Sequence, residues 1–400
     1  MNILMLADAV FEDLPGGSRM VAWELAHGLA RRGHSVTFLV AHQGAKAPDE
    51  ECSADGVRVL RYPGAGRALD FVRLGREACA KLVRGNEQPF DIVHTHFAYA
   101  AVGPLRAIPS NVPRVRTFHG PWDEEGWAEE SGAGGVVGTL KARVKRTLRA
   151  RVETGNLRGS DRILTLSECF RTLVLERGIE PGKVSVIPGG TDIVRFQPAA
   201  DRSLCRQKLG LPTDRRLLLS VRRLAARMGL DNLLRALPEI VRRCPDVLLL
   251  LGGSGPEKSN LEGLILSLGL KDHVKMLGFI PDEQLPTYYQ AADLFVLPTL
   301  SLEGFGLVTT EALSSGLPVI GTPDGATPEI LGHLDPRLIA PGTTPGDLTQ
   351  AILNFLEGDW ADSLTPDRLH AYVAQHYTWD KHITATEAVY ENARAAAASR

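Results

Sequence analysis

The chain has 400 residues, with 45 Lys plus Arg against 47 Asp plus Glu, a formal net charge of -2 and 44% hydrophobic residues. That length supports two or three domains with sizeable cores, and the composition, with 23% charged residues, excludes disorder along the whole chain; the near-balanced charge argues against a dedicated nucleic-acid binder. No apolar run approaches the ~20 residues that a membrane-spanning helix needs, the opening Met1–Asp8 lacks the basic region of a signal peptide, and five scattered cysteines with no Cys-x-x-Cys pair suit reduced thiols in a cytoplasmic protein.

In chain order, short runs of Val, Ile and Leu alternate with longer amphipathic stretches. Asn2–Ala7 reads as a buried strand, Arg19–Arg32 as a helix stopped by Gly33, and Ser35–Val40 as the next strand. Asp91–His94, Arg114–Phe118 and Arg162–Leu166 continue the series. After position 200 the pattern restarts, with strands expected at Arg216–Val221, Val247–Leu251, Val274–Gly278, Leu294–Leu297 and Pro318–Gly321. Strand–helix alternation implies parallel sheets built from right-handed crossovers. Turn formers concentrate at Ile187–Pro198, so the reading is two Rossmann-like doubly wound domains, 1–190 and 199–378, followed by a helix over 379–400.

The densest group of chemical signals is Leu302-Glu303-Gly304-Phe305-Gly306-Leu307, running into Val308-Thr309-Thr310-Glu311. It follows a strand and opens a helix. Its glycines let the backbone approach a ligand, and the helix-start amides suit an anion. Glu303 and Glu311 could accept hydrogen bonds from sugar hydroxyls; a glycine loop with an acidic first turn would also arise for stability alone. The Glu-x7-Glu spacing, followed by Ala312-Leu313-Ser314-Ser315-Gly316-Leu317-Pro318-Val319-Ile320, resembles the retaining GT-B glycosyltransferases of family 4. That family moves sugars from nucleotide-diphosphate donors, and the likeness extends over nearly the whole chain.

The resemblance implies roles for further residues. The family's Gly-Arg-Leu, then Lys-Gly, clamps the donor diphosphate. Here the segment is Arg222-Arg223-Leu224-Ala225-Ala226-Arg227-Met228-Gly229. Arg223 takes the Arg position and Met228 the Lys position, so Arg227 is the expected substitute cation, and Arg222 is either a further phosphate contact or points away from the cleft. Gly252-Gly253-Ser254-Gly255-Pro256 resembles the turn beside the donor, and Gly278-Phe279-Ile280-Pro281 the segment whose main chain holds the nucleobase. Pro15-Gly16-Gly17-Ser18 resembles the loop over the donor phosphates, followed by Arg19, which either reaches a phosphate or lies exposed. Phe118-His119-Gly120 resembles the His-Gly at the active-site floor. His94 and His96 are assigned to packing and acceptor-side polarity. Trp122-Asp123-Glu124-Glu125-Gly126-Trp127 reads as an acidic acceptor-side loop, with Trp122 and Glu124 as its contacts.

The expected enzyme is thus a metal-independent glycosyltransferase with two domains facing a central cleft. Its catalytic candidates are His119, Arg223, Arg227 and Glu303. Its donor-binding candidates are Gly16, Gly17, Gly253, Ile280, Gly304, Phe305, Gly306, Leu307 and Glu311, and its acceptor candidates are Arg19, His96, Trp122 and Glu124. No cofactor is expected beyond a UDP- or GDP-linked sugar as co-substrate, and no Asp-x-Asp pair is present to hold a metal on the diphosphate. The acceptor is a glycan, a glycolipid or a small metabolite carrying a hydroxyl, amine or thiol. The basic stretch Lys141–Arg158, with Leu140, Val144 and Leu148 at helical spacing, is either a solvated face or a peripheral contact with the inner face of a membrane. Competing readings are a sugar-nucleotide-binding protein without catalysis and a sugar-nucleotide epimerase of similar architecture.

Overall fold

Strand β1 (Asn2–Leu6) splits its side chains between two cores. Ile3 and Met5 pack with Leu25, Ala26 and Leu29 of the helix Gly17–Arg31, while Leu4 and Leu6 pack with Cys79 and Leu82 of the helix Ala68–Gly85. Alternate residues of a strand face opposite sides, so a sheet covered on both faces reads as a continuous apolar run. The computed structural model describes residues 1–42, 48–64, 66–130, 135–358, 360 and 363–399. It divides into two compact units, residues 1–189 with 379–400, and residues 190–378.

The first unit carries β1, β2 (Ser35–Ala41), β3 (Glu50–Cys52), β4 (Arg58–Tyr62), β5 (Ile92–Thr95), β6 (Arg114–Phe118), β7 (Arg162–Thr165) and β8 (Val184–Val186). Their order in the sheet is β3-β4-β2-β1-β5-β6-β7-β8, all parallel except the β3–β4 pair. The helix Trp379–Ala398 belongs to this unit; Arg400 of the expected 379–400 stretch lies outside the described residues. Ile383, Tyr390 and Ala393 of that helix join the β1 core. Gly28 makes the close approach possible, since a Cβ there would lie 2.0 Å from Ile383 Cδ1.

The second unit carries β9 (Arg216–Val221), β10 (Val247–Gly252), β11 (Val274–Gly278), β12 (Leu294–Leu297) and β13 (Val319–Gly321), in the order β11-β10-β9-β12-β13, all parallel. Both units are therefore doubly wound α/β domains. In each, the chain winds outward in both directions from the first strand, which puts a switch point beside β1 (toward β5) and beside β9 (toward β12). Ligand crevices in open parallel sheets form at the carboxyl ends of the strands flanking such a point.

Three strands are absent from the sequence reading. β3 carries the adjacent acids Glu50 and Glu51, β4 carries Arg58 and Arg61, and β8 is only three residues long. The segment read as an acidic loop is a helix, Trp122–Glu130. Its amides at Glu124 and Glu125 donate to Pro121 O at 2.9 Å, and Asp123, Glu124 and Glu125 crowd the positive end of the helix dipole.

Candidate functional site

In the second unit, β9 and β12 are neighbours, and the two segments richest in chemical signals leave their carboxyl ends. β9 runs into Arg222–Met228, and β12 into Pro298–Leu307. The glycine turn after β10 supports the first of these. Arg222 N donates to Gly252 O and Leu224 N to Ser254 O, both at 2.9 Å. Gly253 has φ 132°, and a Cβ there would lie 1.7 Å from Arg222 O, so only glycine lets the two loops touch. The requirement at Gly253 is loop against loop. Ile280 is buried against the same turn through Gly252, with Phe279 beside it exposed.

Arg222, whose direction the sequence leaves open, turns into its own unit. Its guanidinium is almost wholly buried and forms a 2.6 Å ion pair with Glu303 Oε2. Nη1 also donates to Thr299 Oγ1, and Nη2 lies 2.9 Å from Met228 Sδ. Burial pushes the Glu303 carboxyl up, but the Arg222 charge and hydrogen bond, with the Thr299 hydroxyl, outweigh it and hold the carboxyl below its ordinary value. Arg223, one residue on, is exposed. Arg227 is tied into the neighbouring loop, its Nη1 donating to Leu302 O at 3.2 Å and its carbonyl accepting from Leu300 N at 2.9 Å. Leu302 sits at φ 65°, a left-handed conformation unfavourable for a branched side chain, held by these contacts next to Glu303. Asp324 closes the loop by accepting from Glu303 N at 2.9 Å.

Gly304 and Phe305 continue toward the helix Leu307–Ser314, with Gly306 preceding it at φ 79°. The Phe305 side chain is buried edge-on to Tyr377, so only its main chain is placed to serve a ligand. Glu311, on that helix, accepts from Tyr289 Oη at 2.9 Å. Burial dominates there and raises its carboxyl to about 7, against the lowering effects of Tyr289 and Arg195. Glu303 and Glu311 are therefore in opposite electrostatic conditions within one unit.

In the first unit, the candidates gather at the carboxyl ends of β1, β5 and β6. Gly16 and Gly17 open the helix Gly17–Arg31. Arg19, read as phosphate-reaching or exposed, is instead paired with buried Asp8, through Nε to Oδ1 at 3.0 Å and Nη2 to Oδ2, and lies 5.5 Å over the Phe97 ring. Asp8 also accepts from Tyr99 Oη at 2.9 Å. His119 Nε2 is 3.1 Å from His96 Nδ1, and its ring stacks on Phe97. The free nitrogens His96 Nε2 and His119 Nδ1 are buried without a partner among the described residues. His94 is held between Tyr390 Oη (2.6 Å) and Thr117 Oγ1 (2.7 Å). Burial, then neighbouring positive and imidazole groups, drives all three histidines well below the ordinary value. Trp122 packs on Tyr99 at 5.0 Å and under the Arg149 guanidinium, and Glu124 is half-buried in the first turn of its helix.

Asp8, Thr299, Tyr289 and Asp324 escaped the sequence reading because their importance comes from what the fold brings beside them. Arg222 had a visible signal, because an arginine stood at the family's glycine position while a methionine stood at its lysine position.

Models of two families match the chain. The model described as Glycosyltransferase Family 4 covers residues 15–195, and that described as Glycosyl transferases group 1 covers residues 201–375. A D-inositol 3-phosphate glycosyltransferase of Kineococcus radiotolerans is 30% identical over 94% of this chain and 91% of its own length. The chain is a family 4 glycosyltransferase of GT-B fold. A GDP-mannose-dependent alpha-(1-6)-phosphatidylinositol monomannoside mannosyltransferase of Mycolicibacterium smegmatis is 29% identical over 88% of this chain and 89% of its own. Among solved structures, sucrose-phosphate synthase of Thermosynechococcus elongatus superimposes on this glycosyltransferase with a TM-score of 0.82, at 26% identity and covering 99% of both chains. Among the described residues, this glycosyltransferase has no group of three or more His, Cys, Asp or Glu arranged to hold a metal ion, and no helix long and apolar enough to cross a membrane.

Proposed function

We propose that this glycosyltransferase moves a sugar from a UDP- or GDP-linked donor to a hydroxyl, amine or thiol, with retention of configuration and without a metal ion. The observation that carries the reading is the meeting of arginines and glutamates at the switch point beside β9, where the Arg222–Arg227 and Glu303–Leu307 segments leave adjacent strands. In the reaction the bond between the sugar C1 and the diphosphate oxygen breaks, and its electron pair leaves with the diphosphate. The acceptor atom bonds to C1, and its proton passes to the departing diphosphate. That charge needs fixed positive partners, which guanidinium groups supply bidentately. Arg223, Arg227 and the main chain at Gly304–Leu307 are assigned to the diphosphate, Glu303 to the transferred sugar, Glu311 to the ribose, and the main chain near Ile280 to the base. Acceptor recognition is assigned to the first unit, at His96, His119, Trp122 and Glu124, with Asp8 orienting Arg19.

The test is a thermal-shift screen of UDP- and GDP-sugars, followed by transfer assays with and without a chelator, using phosphorylated and lipid-linked inositols as first acceptors because the two relatives' names specify them. A donor at 100 times its Kd should stabilise by ~2.7 kcal/mol. Arg223→Ala should fold normally and lose about 10²–10³ in kcat. Absence of any donor shift, chelator-sensitive transfer, or a product of inverted configuration would each remove the corresponding part of the reading.

The helix Gly135–Arg158 carries exposed Leu140, Val144 and Leu148 among exposed Lys141, Arg143 and Arg151. We assign it to contact with an anionic lipid surface on the cytoplasmic side, since apolar residues flanked by cations match that chemistry. Co-sedimentation with anionic vesicles should fall for Leu148→Glu; equal sedimentation of both proteins would overturn the assignment.

A further inference from the structure

We propose that Arg222 is the cation which takes over, in this chain, the charge that the resembled pattern carries at position 228, and that Glu303 holds it ready. The inference rests on the reading of the site as a donor diphosphate site. Two departures from the pattern, arginine at 222 and methionine at 228, are ends of one contact: Arg222 Nη2 lies 2.9 Å from Met228 Sδ. Met228 is buried, and it reaches the same place from the far end of the turn Ala226–Met228. A lysine at 228 would bring an ammonium against the Arg222 guanidinium, with a like-charge cost in a site shielded from water. An uncharged thioether there removes the conflict. The charge has changed residue without leaving the place.

The guanidinium has capacity left for a ligand. Arginine has five N–H donors. Nη1 is engaged by Thr299, Nη2 by Glu303 and Met228, and Nε is buried with no hydrogen-bond partner among the described residues. A buried donor without an acceptor is costly, and a phosphate oxygen would satisfy it. Glu303 offsets the cost of burying the guanidinium before the donor arrives, and it stands on the loop that the Arg227–Leu302 contact braces. The pair is thus preorganised, which is where electrostatic stabilisation of a leaving group gains most.

The test uses the full chain and compares Arg222→Gly, Met228→Lys and the double variant for transfer rate, and for affinity toward UDP and GDP against uridine and guanosine. Arg222→Gly should lower kcat about 10²–10³ and weaken binding of the nucleoside diphosphate while leaving that of the nucleoside. Met228→Lys alone should also be impaired, and the double variant should return to within about tenfold of the starting protein, the charge having been put back at 228. A double variant impaired by the product of the two single effects would overturn the proposal. Because Arg222→Gly strands the Glu303 carboxylate and could unfold, Arg222→Met/Glu303→Gln removes the pair together. A structural ion pair predicts that this variant regains both fold and diphosphate affinity, which would overturn the proposal; a phosphate-binding Arg222 predicts that it regains the fold alone. If the unaltered chain binds neither UDP nor GDP, the inference falls together with the donor-site reading, whereas diphosphate binding that ignores position 222 removes the inference and spares the reading.

Discussion

The two units bury ionisable groups in opposite ways. Beside β9, Arg222 and Glu303 stay charged and neutralise each other across 2.6 Å. Beside β1, His94, His96, His119 and His382 stay neutral, bonded to hydroxyls, to each other or to a main-chain carbonyl. A buried charge is tolerated when its partner is in place, and a buried base when it gives up its proton. The first region should therefore fail when a partner is removed, and the second when acid supplies the proton.

The largest expected effect breaks the pair. Glu303→Ala leaves the Arg222 charge buried and uncompensated, which costs about 3–5 kcal/mol in comparable cases. Calorimetry should show the loss in the transition of the second unit and leave that of the first in place. Next comes acid. His382 is lowered to about 4 by burial, against the raising effect of its bond to Pro188 O. Its folded value lies below the unfolded one, so the unfolded chain binds more protons between pH 6.5 and 4, and stability is lost as the pH falls through that window. At pH 5 His382 alone should remove about 2 kcal/mol, with His94, His96 and His119 acting in the same direction. The second unit should melt later, since Glu303 stays ionised below the ordinary carboxyl value. A first unit that melts at the same temperature at pH 5 and pH 7.5 would contradict this contrast.

A smaller effect sharpens it. Tyr390→Phe removes the hydroxyl bonded to His94 Nδ1 and should cost on the order of 1 kcal/mol, mostly recovered by adding His94→Phe, as a double-mutant cycle on melting temperature would show. The smallest concerns Glu311, whose carboxyl burial pushes up to about 7. If Glu311 serves the ribose as proposed, the drop from pH 7 to 6 protonates most of the accepting carboxylate, and donor affinity should fall about fivefold. Glu311→Gln should bind weakly at every pH and show no such slope.

Fold and site differ in how far they can be read ahead. Central strands such as β9 and β12 announce themselves because burial on both faces demands continuous Leu, Ile and Val. β3 and β4 do not: β3 is an edge strand of three residues, two of them glutamates, and β4 beside it carries Arg58 and Arg61 in place of an unbroken apolar run. The helix Trp122–Glu130 hid behind Gly126, which suits a loop until Arg149 is seen filling the space where a Cβ would be, 1.6 Å from its Nη1. Among the candidates, Glu303 and Glu311 stand out by their spacing along one continuous segment, and Arg223 and Arg227 by the resemblance of theirs to the family pattern. The direction of Arg222 is not legible, because it depends on Glu303, 81 residues away. Arg19 misleads for the same reason, its partner Asp8 lying on the preceding turn of the chain.

The bridge between Thr191 and Thr378, with Thr191 N donating to Tyr377 O at 2.8 Å, fastens the entrance and the exit of the second unit side by side. Topologically that unit is a guest, spliced into a host whose last helix is made only after the guest has been translated. On the ribosome the host must wait: the core against which Ile383 and Tyr390 pack stays uncovered there until some two hundred further residues have emerged. The guest can finish first, and a host sequence resealed from Gly189 directly to Trp379 would show whether that order is obligatory.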